Sequence, residues 1–246
     1  MNHFAKTISD TVLPGRLHLP LRYYYRLFHA AHEEEMFFVT NCLKSRRRLV
    51  DVGANKGMYS YYFRKRMRDI DAFEPLLEMV RMLKPYEEHN LRIHNCALSD
   101  TSGSVRFNIP LDEHGRMIPD MASIEAREGA VEMRDIDVRT LDSFGFDDVD
   151  LLKIDVEGHE LKVLRGARET IRECRPTILV EVEQRHLDFD MGLVFDELLD
   201  QGYEGHFIDD GGMRSLSEFD VEEHQTSRLG NASKRKYINN FIFTPV

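Results

Sequence analysis

The chain has 246 residues, 42% of them apolar and 31% charged, which suits one well-packed α/β domain with extensions and excludes a disordered polymer. A net charge of −10 lacks the basic footprint of a duplex-binding protein, and no apolar run approaches the roughly 18 residues of a membrane span. Cys42, Cys96 and Cys174 are widely spaced without a Cys-x-x-Cys, which excludes a disulfide framework or structural zinc cluster; Met1 to Thr7 lack the basic start and apolar core of a secretory signal, so a cytoplasmic location is expected.

Residues 1–20, with Pro14, Gly15 and Pro20, read as an irregular arm. Leu21, Tyr25, Phe28, Phe38 and Leu43 recur at roughly helical spacing and predict one or two helices. Residues 1–44 are therefore an N-terminal extension to a domain at 45–246. That domain opens with strand Arg48–Val52, a glycine-containing turn, and a helix over Met58–Met67. A second strand, Ile70–Glu74, stops at Pro75. A helix over Leu76–Leu83 and a third strand over Leu91–Leu98 follow, then an extra strand at Ser104–Ile109.

The stretch from Pro110 to Ala130 is polar and too long for a simple connection. After Ile136-Asp137-Val138 comes Val149–Val156, an almost continuously apolar run expected of a strand buried on both faces. Helix His159–Arg172, buried strand Thr177–Val182, helix Leu193–Gln201 and strands Tyr203–Ile208 and Tyr237–Phe243 complete the pattern. A polar loop opening at Asp209-Asp210-Gly211-Gly212 separates the last two. Alternating strands and helices predict a mostly parallel sheet with helices on both faces; the final strand, reached without a helix, is expected to run antiparallel.

In such a sheet a nucleotide-like ligand sits at the carboxyl ends of the strands. The first turn reads Asp51-Val52-Gly53-Ala54-Asn55-Lys56-Gly57. Asn55 stands where a dinucleotide fingerprint needs its second glycine, and no P-loop pattern is present. S-adenosylmethionine (SAM) has no phosphates and tolerates a looser turn. Asp51 supplies an anion for its cationic amino group, and Glu74, at the end of the second strand, is placed to accept ribose hydroxyls.

Five motifs then occur in order. They are Val50–Gly57, Ala72-Phe73-Glu74-Pro75, Asn95-x-Ala97-Leu98-Ser99-Asp100, Arg139-Thr140-Leu141-Asp142, and Leu152-Lys153-Ile154-Asp155-Val156-Glu157-Gly158-x-Glu160. With them the chain resembles the FkbM family of SAM-dependent methyltransferases. The resemblance implies the Rossmann-like class I methyltransferase fold, α/β with a seven-stranded, mostly parallel sheet and an antiparallel last strand. It also implies that Asp51, Gly53, Asn55 and Gly57 form the SAM turn, that Glu74 holds the ribose, that Ala97 and Leu98 lie by the adenine, and that Asp155 sits beside the transferred methyl.

A base within reach of an acceptor hydroxyl assists methyl transfer. His159 ranks first, its ordinary pKa being nearest neutral; the alternative is an exposed first-turn residue. Asp155 and Glu157 rank second. Asp155, Glu157, Glu181 and Glu183 could together hold Mg²⁺, a less favoured option, and no dedicated metal site is expected. His186 and residues 110–130 are expected on the acceptor side. Tyr23-Tyr24-Tyr25 either stack on a sugar or pack against the domain. The function expected is O-methylation of a hydroxyl on a sugar, glycan or secondary metabolite. A catalytically inactive SAM-binding scaffold and an NAD-dependent oxidoreductase are the alternatives. The sequence does not specify the oligomeric state.

Overall fold

In the central strands, neighbouring apolar residues serve opposite faces of one sheet. Leu49, Leu151, Leu179 and Ile242 join one core layer, while Val50, Leu152, Val180 and Phe241 join the other. Successive side chains of a strand point to opposite faces, so a strand covered on both sides must be apolar throughout. The computed structural model describes residues 15–28, 34–87, 90–125, 129–229 and 236–246; the first fourteen residues of the expected arm lie outside these.

Strands β1 (Arg48–Val52), β2 (Asp69–Phe73), β3 (Leu91–His94), β7 (Val149–Ile154) and β8 (Thr177–Glu181) run parallel in the order β8-β7-β1-β2-β3. The last strand, β11 (Asn240–Pro245), inserts antiparallel between β8 and β9 (Tyr203–Asp209). Strand order reverses at β1, so the turns after β1 and β7 meet at the carboxyl edge, the usual ligand position in such sheets.

The sheet has eight strands rather than the seven expected. Asp210 and Gly211 both have positive φ and join β9 to β10 (Gly212–Ser215) as a two-residue hairpin, the geometry a type I′ turn demands. The third expected strand divides in two. Its second half, β4 (Ala97–Leu98), leaves the main sheet for a three-stranded one with β6 (Val131–Arg139) and β5 (Gly103–Pro110). Most of the irregular 110–130 stretch is thus the long tip between two paired strands, β5 and β6. The tip is folded back by bridges Leu111–Met117 and Asn108–Ser123.

Helix α1 (Gly15–Phe28) runs through Pro20, so residues 15–20 of the expected irregular arm are helical; beside the proline, Leu19 N–H donates to the Tyr86 hydroxyl at 3.0 Å. Helix α2 (Glu35–Cys42) lies on β11 and β8. Helices α1, α2 and α3 (Met58–Phe63) contribute to the core layer that contains Leu49. The expected helix 159–172 is two, α5 (Glu160–Arg165) and α6 (Arg168–Cys174), which with α7 (Gly192–Leu199) cover the opposite face; α4 (Leu77–Leu83) precedes β3. Among the described residues no helix is long and apolar enough to cross a membrane.

Candidate active site

Asp51, the last residue but one of β1, is fully buried. Its Oδ2 accepts from Ser60 N at 3.1 Å and Ser60 Oγ at 2.6 Å, tying the strand to α3. Gly53 follows at φ +72°, donating its N–H to Phe73 O at 3.0 Å. A Cβ on Gly53 would stand 1.8 Å from the Asp155 carbonyl oxygen, so only glycine lets the first turn close against the end of β7. Asn55 adopts a left-handed φ of 46°, and at Gly57 a Cβ would meet Leu83 at 2.1 Å.

Glu74 locks this turn to the end of β2. Its Oε2 accepts from Asn55 N at 2.8 Å and its Oε1 from Leu76 N at 2.8 Å. Burial pushes its carboxyl up to about 7, against the pull of those two N–H donors and of nearby Lys153. Lys153, to which the sequence reading assigned no role, lies at the centre of the cluster and is 5% exposed. Its ammonium donates to Gly53 O at 3.0 Å and Asp155 Oδ2 at 3.3 Å, with Asp51 Oδ1 at 3.5 Å. The signal available beforehand was a lysine inside a strand buried on both faces, a position lysine rarely takes without partners.

Asp51, Gly53, Asn55, Glu74 and Asp155 are thus brought together, joined through Lys153 and the backbone. Ala97 and Leu98 are not on β3 as expected but in the small sheet. Ala97 shares an apolar cluster with Leu76, while Leu98 packs in the main core with Val52 and Phe73.

His159 belongs to a second cluster. It is 3% exposed, not an exposed first-turn residue. Its Nδ1 lies 2.6 Å from Glu125 Oε1 and its Nε2 lies 2.8 Å from Ser99 Oγ. The hydrogen bond from His159, ahead of that from Lys162, holds the Glu125 carboxyl down at about 2. Both ring nitrogens are committed, which leaves no lone pair for an acceptor proton in this arrangement.

Beside this cluster the 111–125 part of the tip is drawn to the end of β7, because Ser123 Oγ donates to Glu157 O at 2.8 Å. Glu157 has a left-handed φ of 57°, and its Oε2 meets His186 Nδ1 at 3.0 Å. A strained non-glycine residue at such a turn is held by its surroundings.

The four carboxylates considered for Mg²⁺ do not converge. Asp155 turns to Lys153, Glu157 to His186, Glu181 to Asn239, and Glu183 to Arg185 and Tyr237. Among the described residues no group of three or more His, Cys, Asp or Glu is arranged to hold a metal. Of the tyrosine run, Tyr23 packs 5.4 Å from Tyr61 and Tyr24 is exposed; the Tyr25 side chain lies outside the described residues.

A parallel sheet with an antiparallel inserted last strand, and an acidic glycine turn meeting the end of β7 at the switch point, define a Rossmann-like class I methyltransferase. The chain belongs to the FkbM methyltransferase family, whose model, described as "Methyltransferase FkbM domain", matches residues 51–204. It is similar to methyltransferase sdnD of Sordaria araneosa, 27% identical over 173 residues, covering 54% of this chain and 65% of that protein. It is also similar to methyltransferase 1 of Beauveria bassiana, 26% identical over 165 residues, covering 57% and 66%. The chain thus spans about two thirds of the length of the curated relatives it matches. In fold it resembles the crystal structure of an FkbM methyltransferase from Methylobacillus flagellatus, with a TM-score of 0.54 at 17% identity, covering 85% of this chain and 47% of that one. The family and fold imply SAM as methyl donor.

The residues fit that donor. Glu74 sets a buried carboxylate beside the turn, and Asp51 Oδ1, 3.5 Å from the Lys153 ammonium, is a buried oxygen without a hydrogen bond among the described residues.

Proposed function

We propose that the chain is a SAM-dependent O-methyltransferase acting on a hydroxyl of a sugar, glycan or secondary metabolite. The observation that carries the reading is the closure of the Asp51–Gly57 turn on Asp155 through Gly53, with Glu74 bound to the same turn. Bound SAM supplies a methyl carbon activated by its sulfonium. Asp51 and the turn backbone hold its methionine end, and Glu74 accepts its ribose hydroxyls.

Asp155, whose side chain is 32% exposed at the end of β7, takes the proton of the acceptor hydroxyl in place of the committed His159. A positioned base of this kind contributes about 10²–10⁴-fold. The Glu157–His186 pair stands second for that role, since one ring nitrogen already faces a carboxylate and orients the other. The tip at 111–125, tied to Glu157 by Ser123, forms the acceptor wall. The carboxylates of the Asp155–Gly158 segment suit an acceptor that loses a proton on methylation, as a hydroxyl does.

Calorimetric titration with SAM and S-adenosylhomocysteine tests the donor half, and no binding of either would sink the reading. Transfer of labelled methyl from SAM across panels of hydroxyl, amine and carboxylate acceptors tests the acceptor half. Labelling confined to amines would overturn O-methylation.

A further inference from the structure

The donor half contains a charge that neither the turn nor the acceptor chemistry calls for. Strand register sets Lys153 beside Asp51, and the two-residue period of a strand puts Asp155 on the same face. The ammonium of Lys153 is surrounded by Gly53 O at 3.0 Å, Asp155 Oδ2 at 3.3 Å, Val52 O at 3.4 Å and Asp51 Oδ1 at 3.5 Å. The Tyr59 ring lies 5.2 Å off. Two carbonyls of the cofactor turn and two carboxylates around one nitrogen make an ammonium site. A cation set between two carboxylates balances their charge within the sheet.

We propose that Lys153 is an internal stand-in for the α-ammonium of the donor's methionine end, which has to displace it from Asp51. The inference rests on the SAM reading above. Two ammonium groups repel each other at one buried carboxylate, so the incoming group and the lysine compete for Asp51. The flexible four-carbon stem lets the lysine head move while its backbone stays in β7. Asp155, the more exposed of its two carboxylates, is where the head stays once Asp51 is taken. The affinity penalty falls on ligands with an amino-acid end and spares those without one.

Paired titrations with S-adenosylhomocysteine and 5′-methylthioadenosine read this directly, without an acceptor. The second compound keeps the adenine, ribose and thioether but has no ammonium or carboxylate. In Lys153→Met the homocysteine compound is expected to bind about tenfold tighter, with methylthioadenosine unchanged. Lys153→Gln retains a donor for Gly53 O without the charge, and is expected to shift the same ratio in the same direction if the Met variant does not fold. Weaker homocysteine binding with methylthioadenosine unchanged would overturn the proposal, since the lysine would then be gripping the ligand's carboxylate. Parallel loss of both, or no change in either, would also overturn it and leave Lys153 a structural residue. Wild-type protein that binds neither compound would overturn the SAM reading and this inference together, an outcome distinct from the others.

Discussion

The two halves of the site are held by different means. The donor half is built on the ends of β1, β2 and β7, where backbone meets backbone and buried charges are balanced within one sheet face. The proposed acceptor half is stitched from side chains reaching between loops, with Ser123 on Glu157, Glu125 on His159, His159 on Ser99 and His186 on Glu157. A donor common to many enzymes suits a rigid seat, while an acceptor that varies suits walls carried on loops.

The sharpest way to break this contrast is Gly53→Ala. With φ at +72° and a Cβ 1.8 Å from the Asp155 carbonyl, it should lose more than about 3 kcal/mol in urea unfolding and abolish binding of S-adenosylhomocysteine. Wild-type stability in this variant would show that the turn does not close on β7.

Glu160→Gln probes the start of α5 through pH. Glu160 is buried, its Oε1 accepting from Gly158 N at 2.9 Å, and burial pushes its carboxyl from 4.5 up to about 7. A folded-state pKa above the unfolded one means the folded chain holds the extra proton. The stability this contributes is complete below about 4.5 and is lost as pH rises through about 7. Between those values wild type should lose up to about 3 kcal/mol that the Gln variant keeps, measured by urea midpoints at several pH values. Parallel profiles for the two proteins would refute the assignment.

Glu74→Gln removes the carboxyl group proposed to meet the ribose. Affinity for S-adenosylhomocysteine should drop by about 1–3 kcal/mol in calorimetry; an unchanged value removes Glu74 from the cofactor site. On the acceptor side, His159→Gln should cost about 1 kcal/mol of stability and leave cofactor affinity unaltered, because it loosens the Ser99–Glu125 link only. Lost turnover with intact stability would instead return His159 to the role of base.

What was legible in the sequence follows the same division. The apolar runs of β1, β7 and β8 and the acidic glycine turn declare themselves locally, because burial on both faces and a close backbone approach each leave few residue choices. Other features depend on distant partners. The division of the third strand after His94 is set by pairing with β6, whose residues come some forty positions later along the chain. The burial of His159 depends on Glu125 and Ser99, and nothing beside it in sequence announces either. The hairpin at Asp210-Gly211 was legible, since Asp-Gly between two extended segments is a strong turn signal. The strand after it is harder to see, since Gly212-Met213-Arg214-Ser215 is only four residues long and has a single apolar side chain.

That exposure has its own use. A sheet ending at β9 would offer the open backbone of a seven-residue strand carrying Phe207 and Ile208 to any other chain. Instead the outermost strand is short and hydrophilic in character, with Arg214 turned onto Glu218 at 2.6 Å. Four residues thus act as a selvedge that discourages edge-to-edge aggregation, and their deletion should show first as turbidity on concentration rather than as lost cofactor binding.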